Sequence, residues 1–295
     1  MITVCSKQIQ ANYLDYSFIE GRPVYLCDIM GQHIKPEIKE KMLVFIKSNF
    51  KKISIRQIAK ELNIGKTTVN RWANELGLFF KKNTVNENYF KKWSPNMAYI
   101  LGLIFADGNI QWNPKKSYRA LTITASEKDK KNIEKIRVLL ESTKKLLYSS
   151  KTKSYRLIVN SKTMCKDLIA LGVTPRKSLT LLFPDIQKKY LPNFLMGVID
   201  GDGTVRYVQR KRSPYFEITI SSGSKKFLEK MAKIISTLGI TGKPRKISTS
   251  TYLLQYSCKR GMQLAELIYP NANLCLGRKF NQYKIAQRAK EVVLL

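Results

Sequence analysis

The apolar positions of this chain change their spacing several times, and each change marks an element. From Pro36, which suits a first helical turn, Ile38, Met42, Phe45 and Ile46 fall on one helical face. Ser54 can cap a second helix, Ile55–Leu62, with Ile58, Ala59 and Leu62 inward. Asn63-Ile64-Gly65 reads as a tight turn, and a third helix from about Lys66 to Leu76 turns Val69, Trp72, Ala73 and Leu76 inward. Ser94-Pro95 starts a helix that carries an almost unbroken apolar run to Asp107. Alternation follows in Asn109–Trp112 and Tyr118–Thr124 around a turn at 113–116. A helix over Glu127–Leu140 comes next, then short strands near Lys145–Ser149 and Tyr155–Val159, then a helix over Ser161–Leu171 stopped by Gly172. The series then restarts. Pro192 opens an apolar helix, with strands near Thr204–Gln209 and Tyr215–Ser221, a helix over Lys225–Leu238, strands near Lys243–Ile247 and Tyr252–Tyr256, and a helix from Lys259. A last helix, Lys279–Val292, is expected on the outside of a sheet. Each half reads helix, two strands, helix, two strands, helix.

The two restarts share a motif. Ile100-Leu-Gly-Leu-Ile-Phe-Ala-Asp-Gly108 returns as Leu195-Met-Gly-Val-Ile-Asp-Gly-Asp-Gly203. Gly102 and Ala106, like Gly197 and Gly201, stand four apart and so share a helical face. Small residues there let another helix backbone come close. Two such helices side by side would set Asp107 next to Asp202, which is costly unless a proton or a divalent cation sits between them. The glycine after each acid suits a left-handed helix stop. One apolar run ending in Asp-Gly is ordinarily a buried element entering a turn. Its recurrence, with Ser154–Leu157 matching Thr251–Leu254 and Arg176-Lys177 matching Arg278-Lys279, marks an internal duplication. The run Met97–Ala106 is about half the length a membrane span needs.

Charge narrows the partner. The 295 residues carry 53 Lys plus Arg against 21 Asp plus Glu, a net charge of +32 that calls for a polyanion. The chain has no broad-faced basic amphipathic helix and no lipidation motif, so nucleic acid fits better than membrane. Five scattered cysteines and no secretory signal point to a reducing, intracellular, DNA-associated setting (cytoplasm, nucleoid or organelle matrix). The single histidine, His33, counts against histidine-built nuclease or metal centres. Residues 1–35 read as a small module, decayed or metal-free, of zinc-ribbon kind. Cys5, Cys27 and His33 are one ligand short of a closed zinc site.

The paired motifs resemble the signature of the LAGLIDADG homing endonucleases, in the two-motif monomeric form. The second copy keeps both acids of that signature, Asp200 and Asp202, while the first has Phe105 at the sixth position. The resemblance implies a mixed α/β (α+β) fold of two αββαββα repeats, 94–190 and 191–295, whose antiparallel sheets form a pseudo-twofold saddle over DNA. It implies Mg²⁺, with Mn²⁺ as a substitute, held by Asp107 and Asp202, and lysines beside the metals for which Lys162 and Lys259 hold equivalent places. It also implies staggered double-strand cleavage of a long asymmetric site by a monomer. Lys115, Lys116, Arg119, Lys151, Lys153 and Arg156 of the first repeat, and Arg206, Arg210, Arg212, Lys243 and Arg245 of the second, would face the duplex. Arg278, Lys279, Lys284 and Arg288 are read as phosphate contacts.

Ile58–Trp72 resembles a helix-turn-helix unit within a domain at 36–83, joined by a linker at 84–93. Such a unit implies that Lys66, Thr67, Thr68, Asn70 and Arg71 meet a major groove. Two rivals stay open: a non-cleaving transcription regulator of the same fold, and an intron RNA maturase. An intein is disfavoured, since no Cys or Ser start and no terminal His-Asn is present.

Overall fold

The computed structural model describes residues 18–19, 22–23, 34–50, 52–78, 84–113, 118–175, 179–209, 214–270 and 274–293. Cys5, Cys27 and His33 lie outside them, as do Lys115, Lys116, Arg210 and Arg212. The chain divides into two units, Met1–Lys82 and Asn83–Leu295.

In the first unit, β1 (Phe18–Ile19) pairs antiparallel with β2 (Arg22–Pro23). Three helices follow: α1 (Pro36–Asn49), α2 (Ile55–Glu61) and α3 (Lys66–Glu75). Ser54 Oγ accepts from Gln57 N–H and satisfies one of the donors left over at the start of α2. Asn63, at φ 50°, makes the turn between α2 and α3. Met42, Ile46, Ile58, Ala59, Leu62, Val69, Trp72 and Ala73 close a small core of their own. The periodicity gave this bundle to within a residue or two.

The second unit is built on α4 (Pro95–Asp107) and α7 (Leu191–Asp202), which pack against each other along their lengths. From α4 the chain runs into β3 (Gly108–Asn113), β4 (Tyr118–Ser126), α5 (Lys130–Leu139), β5 (Leu147–Ser149), β6 (Ser154–Val159) and α6 (Lys162–Ala170). From α7 it repeats with β7 (Gly203–Val208), β8 (Tyr215–Ser222), α8 (Lys225–Ser236), β9 (Arg245–Ser248), β10 (Thr251–Ser257) and α9 (Cys258–Ile268). A last helix, α10 (Gly277–Val293), packs on β7. The sheets are antiparallel and ordered alike, β3-β4-β6-β5 and β7-β8-β10-β9. The expected mixed α/β architecture and its duplication are therefore present, each repeat with its own four-stranded sheet.

Strand alternation decides which residues meet the helices. Ile110, Leu121, Ile123, Leu157 and Val159 are buried on one face of the first sheet, and Val205, Phe216, Ile218, Ile220, Leu254 and Tyr256 on one face of the second. The opposite faces carry Asn109, Gln111, Thr122, Thr124, Arg156 and Ile158, and Thr204, Arg206, Glu217, Thr219, Leu253 and Gln255.

Two expectations need correction. Gly108 (φ −76°) and Gly203 (φ −104°) are extended, not left-handed. They are the first residues of β3 and β7, and what they require is room: a Cβ would stand 2.6 Å from Ile104 Cα at Gly108 and 2.6 Å from Ile199 O at Gly203. Residues 84–93 are not a free linker. Thr84 N–H donates to Thr143 Oγ1 at 2.8 Å and Asn86 N–H to Leu140 O at 2.9 Å; Phe90 is in the core, and Trp93 stacks on Tyr190.

Candidate active site

The small residues of the motif do what their spacing predicts. A Cβ on Gly102 would lie 2.1 Å from Phe194 O, and one on Gly197 2.1 Å from Tyr99 O, so α4 and α7 cross backbone to backbone. At the foot of the crossing a Cβ on Gly201 would meet Ala106 Cβ at 2.3 Å and Asp107 Oδ2 at 3.2 Å. The Asp107 carboxylate thus rests against the last turn of α7, one residue from Asp202. Both acids end their helices and are exposed. That is the negative end of each helix dipole, where a carboxylate is disfavoured and a cation favoured.

Each acid borders its own cavity. Asp107 lines one of about 240 Å³ with Ser126, Asp129, Asn132, Asp200 and Arg278. Asp202 lines one of about 230 Å³ with Phe105, Ala106, Ser221, Ser222 and Thr251. No group of three or more His, Cys, Asp or Glu side chains poised to hold a metal occurs among the described residues. The donor set is a pair of hard carboxylate oxygens, which leaves most coordination positions to water or phosphate. That fits Mg²⁺, which keeps several waters, and does not fit zinc.

Behind the acids the two repeats differ. Asp200, almost fully buried, accepts from Tyr99 O–H at 2.9 Å and from Leu276 N–H at 2.7 Å. Asn132 Nδ2 in turn donates to the Tyr99 oxygen at 2.9 Å. Burial pushes the Asp200 carboxyl up to about 6, against the lowering effect of the Leu276 N–H, the Lys279 charge and the Tyr99 hydroxyl. The motif counterparts of Tyr99 and Asp200 are Phe194 and Phe105, whose rings meet edge to face at 5.4 Å. Phe105 also stacks on Phe227, which explains an apolar residue at that motif position.

The lysine that reaches this region is Lys279, at the start of α10. Its Nζ donates to the carbonyls of Ile199 (2.6 Å), Asp200 (2.8 Å) and Gly203 (2.6 Å) around the end of α7, where Ile199 O also accepts from Gly203 N–H. Burial lowers its pKa to about 8, opposed by the nearby charges of Asp200 and, further down, Asp107. Beside it, Arg278 grips Asp129 of the first repeat through Nε and Nη2, at 3.2 Å and 3.2 Å. Lys279 is thus buried structure and not a phosphate contact. The repeated Arg-Lys pair was the signal for it, visible in the sequence only as a landmark of the duplication.

Neither Lys162 nor Lys259 lines the cavities that Asp107 and Asp202 border. Lys259 lines a separate cavity with Tyr207, Phe216, Met262 and Ala286. Its strand β10 ends at Ser257 opposite Glu217, whereas Gly203, next to Asp202, pairs with Ile220. Lys162 is exposed at the start of α6.

Of the residues expected to face a duplex, Arg156, Arg206 and Arg245 lie on the open sheet faces; Lys151 and Lys153 lie in the exposed β5–β6 turn, and Lys243 is exposed just before β9. Arg119 does not join them. Its register with Trp112 puts it on the helix-facing side, where its guanidinium lies 3.6 Å from the Trp112 ring centroid. In the first unit Lys66, Thr67 and Arg71 are exposed, and Thr68 and Asn70 half-buried.

Comparison with known proteins bears on the repeats. An uncharacterized protein of Methanocaldococcus jannaschii, MJ0398, is 28% identical over 194 residues, which cover 63% of this chain and 66% of that one. The chain therefore spans just under two thirds of that relative. Among solved structures, the LAGLIDADG meganuclease I-AabMI bound to uncleaved DNA is similar with a TM-score of 0.49 and 14% identity, over 68% of this chain and 91% of that one. The LAGLIDADG homing endonuclease I-GzeII in complex with its DNA target is similar with a TM-score of 0.49 and 10% identity, over 69% and 93%. Residues 94–166 and 190–275, more than half of the chain and one stretch in each repeat, match the family model of the LAGLIDADG-like domain, and the chain belongs to that family.

Proposed function

We propose that this chain is a metal-dependent endonuclease that cuts both strands of duplex DNA at a long, asymmetric site. The observation that carries the reading is the pair Asp107 and Asp202, held together at the negative ends of two helices in a chain of net charge +32. Of the 21 acids in the chain, these two stand at helix ends that disfavour a carboxylate and favour a cation. Asp107 and Asp202 would hold Mg²⁺, or Mn²⁺ in its place; bound there, the ion supplies an activated water and stabilises charge on the phosphate and the leaving 3′ oxygen. Lys279 fixes the end of α7 and so the direction of Asp202. The open sheet faces, mostly Thr, Ser, Asn and Gln with a few arginines, suit base edges, while lysines in the turns suit phosphates. Both acids come from one chain, so a monomer is complete. Lys66, Thr67, Thr68, Asn70 and Arg71 of the first unit would add contacts beyond the central site. Cleavage at such a site would lead to copying of a host intron or element.

The test uses the uninterrupted DNA that flanks the protein's own gene, with and without Mg²⁺, against the wild type, Asp107→Asn and Asp202→Asn. A discrete double-strand cut that needs the metal and both acids supports the reading. Tight duplex binding without a cut in Mg²⁺ or Mn²⁺ overturns it in favour of a regulator, and preference for structured intron RNA overturns it in favour of a maturase.

A further inference from the structure

The open face of the second sheet holds one acid, Glu217, and it is almost fully buried. Its Oε1 accepts from Arg206 Nη2 at 2.5 Å across the β7–β8 pair. Its Oε2 accepts from Tyr215 O–H at 2.8 Å and Gln255 Nε2 at 2.8 Å. Gln255 is itself fixed: its Nε2 also reaches Ser257 Oγ at 3.2 Å, and its Oε1 accepts from Arg245 Nη2 at 3.4 Å. Both Glu217 oxygens are therefore spent inside the protein, and so is the Gln255 amide.

What remains for a ligand is Arg206, more than half exposed. Glu217 uses one of its Nη2 hydrogens, so one edge of the planar guanidinium, Nη2 with either Nη1 or Nε, keeps two parallel donors. The Arg206–Glu217 pair has no net charge, so it is poorly suited to a phosphate, which is held mainly by charge. A base edge that offers two acceptors suits it well, and in a duplex major groove that edge is guanine O6 and N7.

The first repeat has no such device. By register, Gln111 faces Ala120 where Arg206 faces Glu217, and Ile158 faces Thr122 where Gln255 faces Thr219. No charged side chain stands at the equivalent place.

We propose that Arg206, held by Glu217 and Gln255, reads one guanine on the second repeat's side of the target, and that the mirror position on the first repeat's side is read without it. Arg206 is the reading residue; Glu217 is a positioning residue that acts through it. The inference rests on the proposed action on duplex DNA and makes that target asymmetric at a defined pair of positions.

The experiment selects from a pool of randomised duplexes with the full chain, in Ca²⁺ so that binding is separated from cutting. Wild type, Arg206→Ala, Arg206→Lys and Glu217→Gln are compared. The expected result is one guanine column whose enrichment falls roughly tenfold in all three variants, with the mirror column and the rest of the motif unchanged. Arg206→Lys keeps charge and ion pair but gives up the fork, so it tests the idea even where the Glu217 variant loses its fold. A Glu217→Gln motif identical to wild type, or a uniform loss over all columns, overturns the inference while leaving DNA recognition intact. A wild type that enriches no motif overturns the DNA reading, and this inference falls with it.

Discussion

Replacing Gly102 with alanine puts the helix crossing to the test. The new methyl group would stand 2.1 Å from Phe194 O and 3.0 Å from Val198 N, both backbone atoms that no rotamer change can move. Reaching an ordinary contact means that α4 and α7 part by about 1 Å, and a packed interior resists such a shift. The cost belongs at the upper end of overpacking, about 3 kcal/mol, because the same parting loosens the Ala106–Gly201 contact. For a domain of this size each kcal/mol lowers Tm by about 2–4 °C, so Gly102→Ala should melt roughly 6–12 °C below wild type. Gly197→Ala, with its contact of 2.1 Å to Tyr99 O, should match it. The double variant should cost clearly less than the sum, since one separation relieves both clashes. Gly277→Ala is the control: a Cβ there meets nothing within 4 Å, and the variant should melt with wild type or slightly above it. Thermal melts by circular dichroism give all four values. A Gly102→Ala protein within about 2 °C of wild type would refute the backbone-to-backbone crossing, and with it the reason that the acids sit together.

Four further outcomes follow from the structure. Tyr99→Phe removes the donor to Asp200 and the acceptor for Asn132 at once; a urea melt should show a loss of about 2 kcal/mol, and an unchanged midpoint would contradict the buried network. Lys279→Met removes a donor shared by three carbonyls around the end of α7, of which Ile199 O keeps the Gly203 N–H, and should cost about 2 kcal/mol as well as most of the proposed nuclease activity. Lys162→Met and Lys259→Met should cut at close to the wild-type rate, and the reverse ranking in a cleavage assay would restore the sequence-based expectation. Burial acts to raise the Glu217 carboxyl, but hydrogen bonds from Tyr215 and Arg206, the Arg206 charge and the Gln255 amide together hold it below the usual carboxylate range. Its folded value is therefore depressed: the stability it contributes is complete above its unfolded value of about 4.3 and is lost as pH falls through the folded one. Acid titration of wild type should show that loss, and Glu217→Gln should lack it.

How much could be read in advance depended on the range of the interaction. The motif helices, their small-residue faces and the adjacency of Asp107 and Asp202 follow from spacing within about nine residues, and the repeat made that spacing trustworthy. The charge of Arg119 suggests a duplex contact, but its parity with Leu121 and Ile123 puts it on the core side. The extended glycines turn on a tertiary fact, since Gly203 is crowded partly by Thr219 O of the neighbouring strand. Lys279 was beyond reach for the same reason. The repeated Arg-Lys pair marks it as a landmark among 53 basic residues, but its role comes from the approach of α10 to a helix end some eighty positions earlier.

The hydrogen bond from Tyr99 to Asp200, mirrored by the contact of Phe194 with Phe105, has a consequence for exchanging the halves. A protein made of two first repeats would bring a tyrosine hydroxyl against phenylalanine, with no acceptor for it. One made of two second repeats would bury a carboxylate against phenylalanine, with no hydroxyl to meet it. Each half now recognises the other and rejects itself. The two halves are complementary at this pair, so a chimera that exchanges one of them has to carry the matching member of the pair across with it.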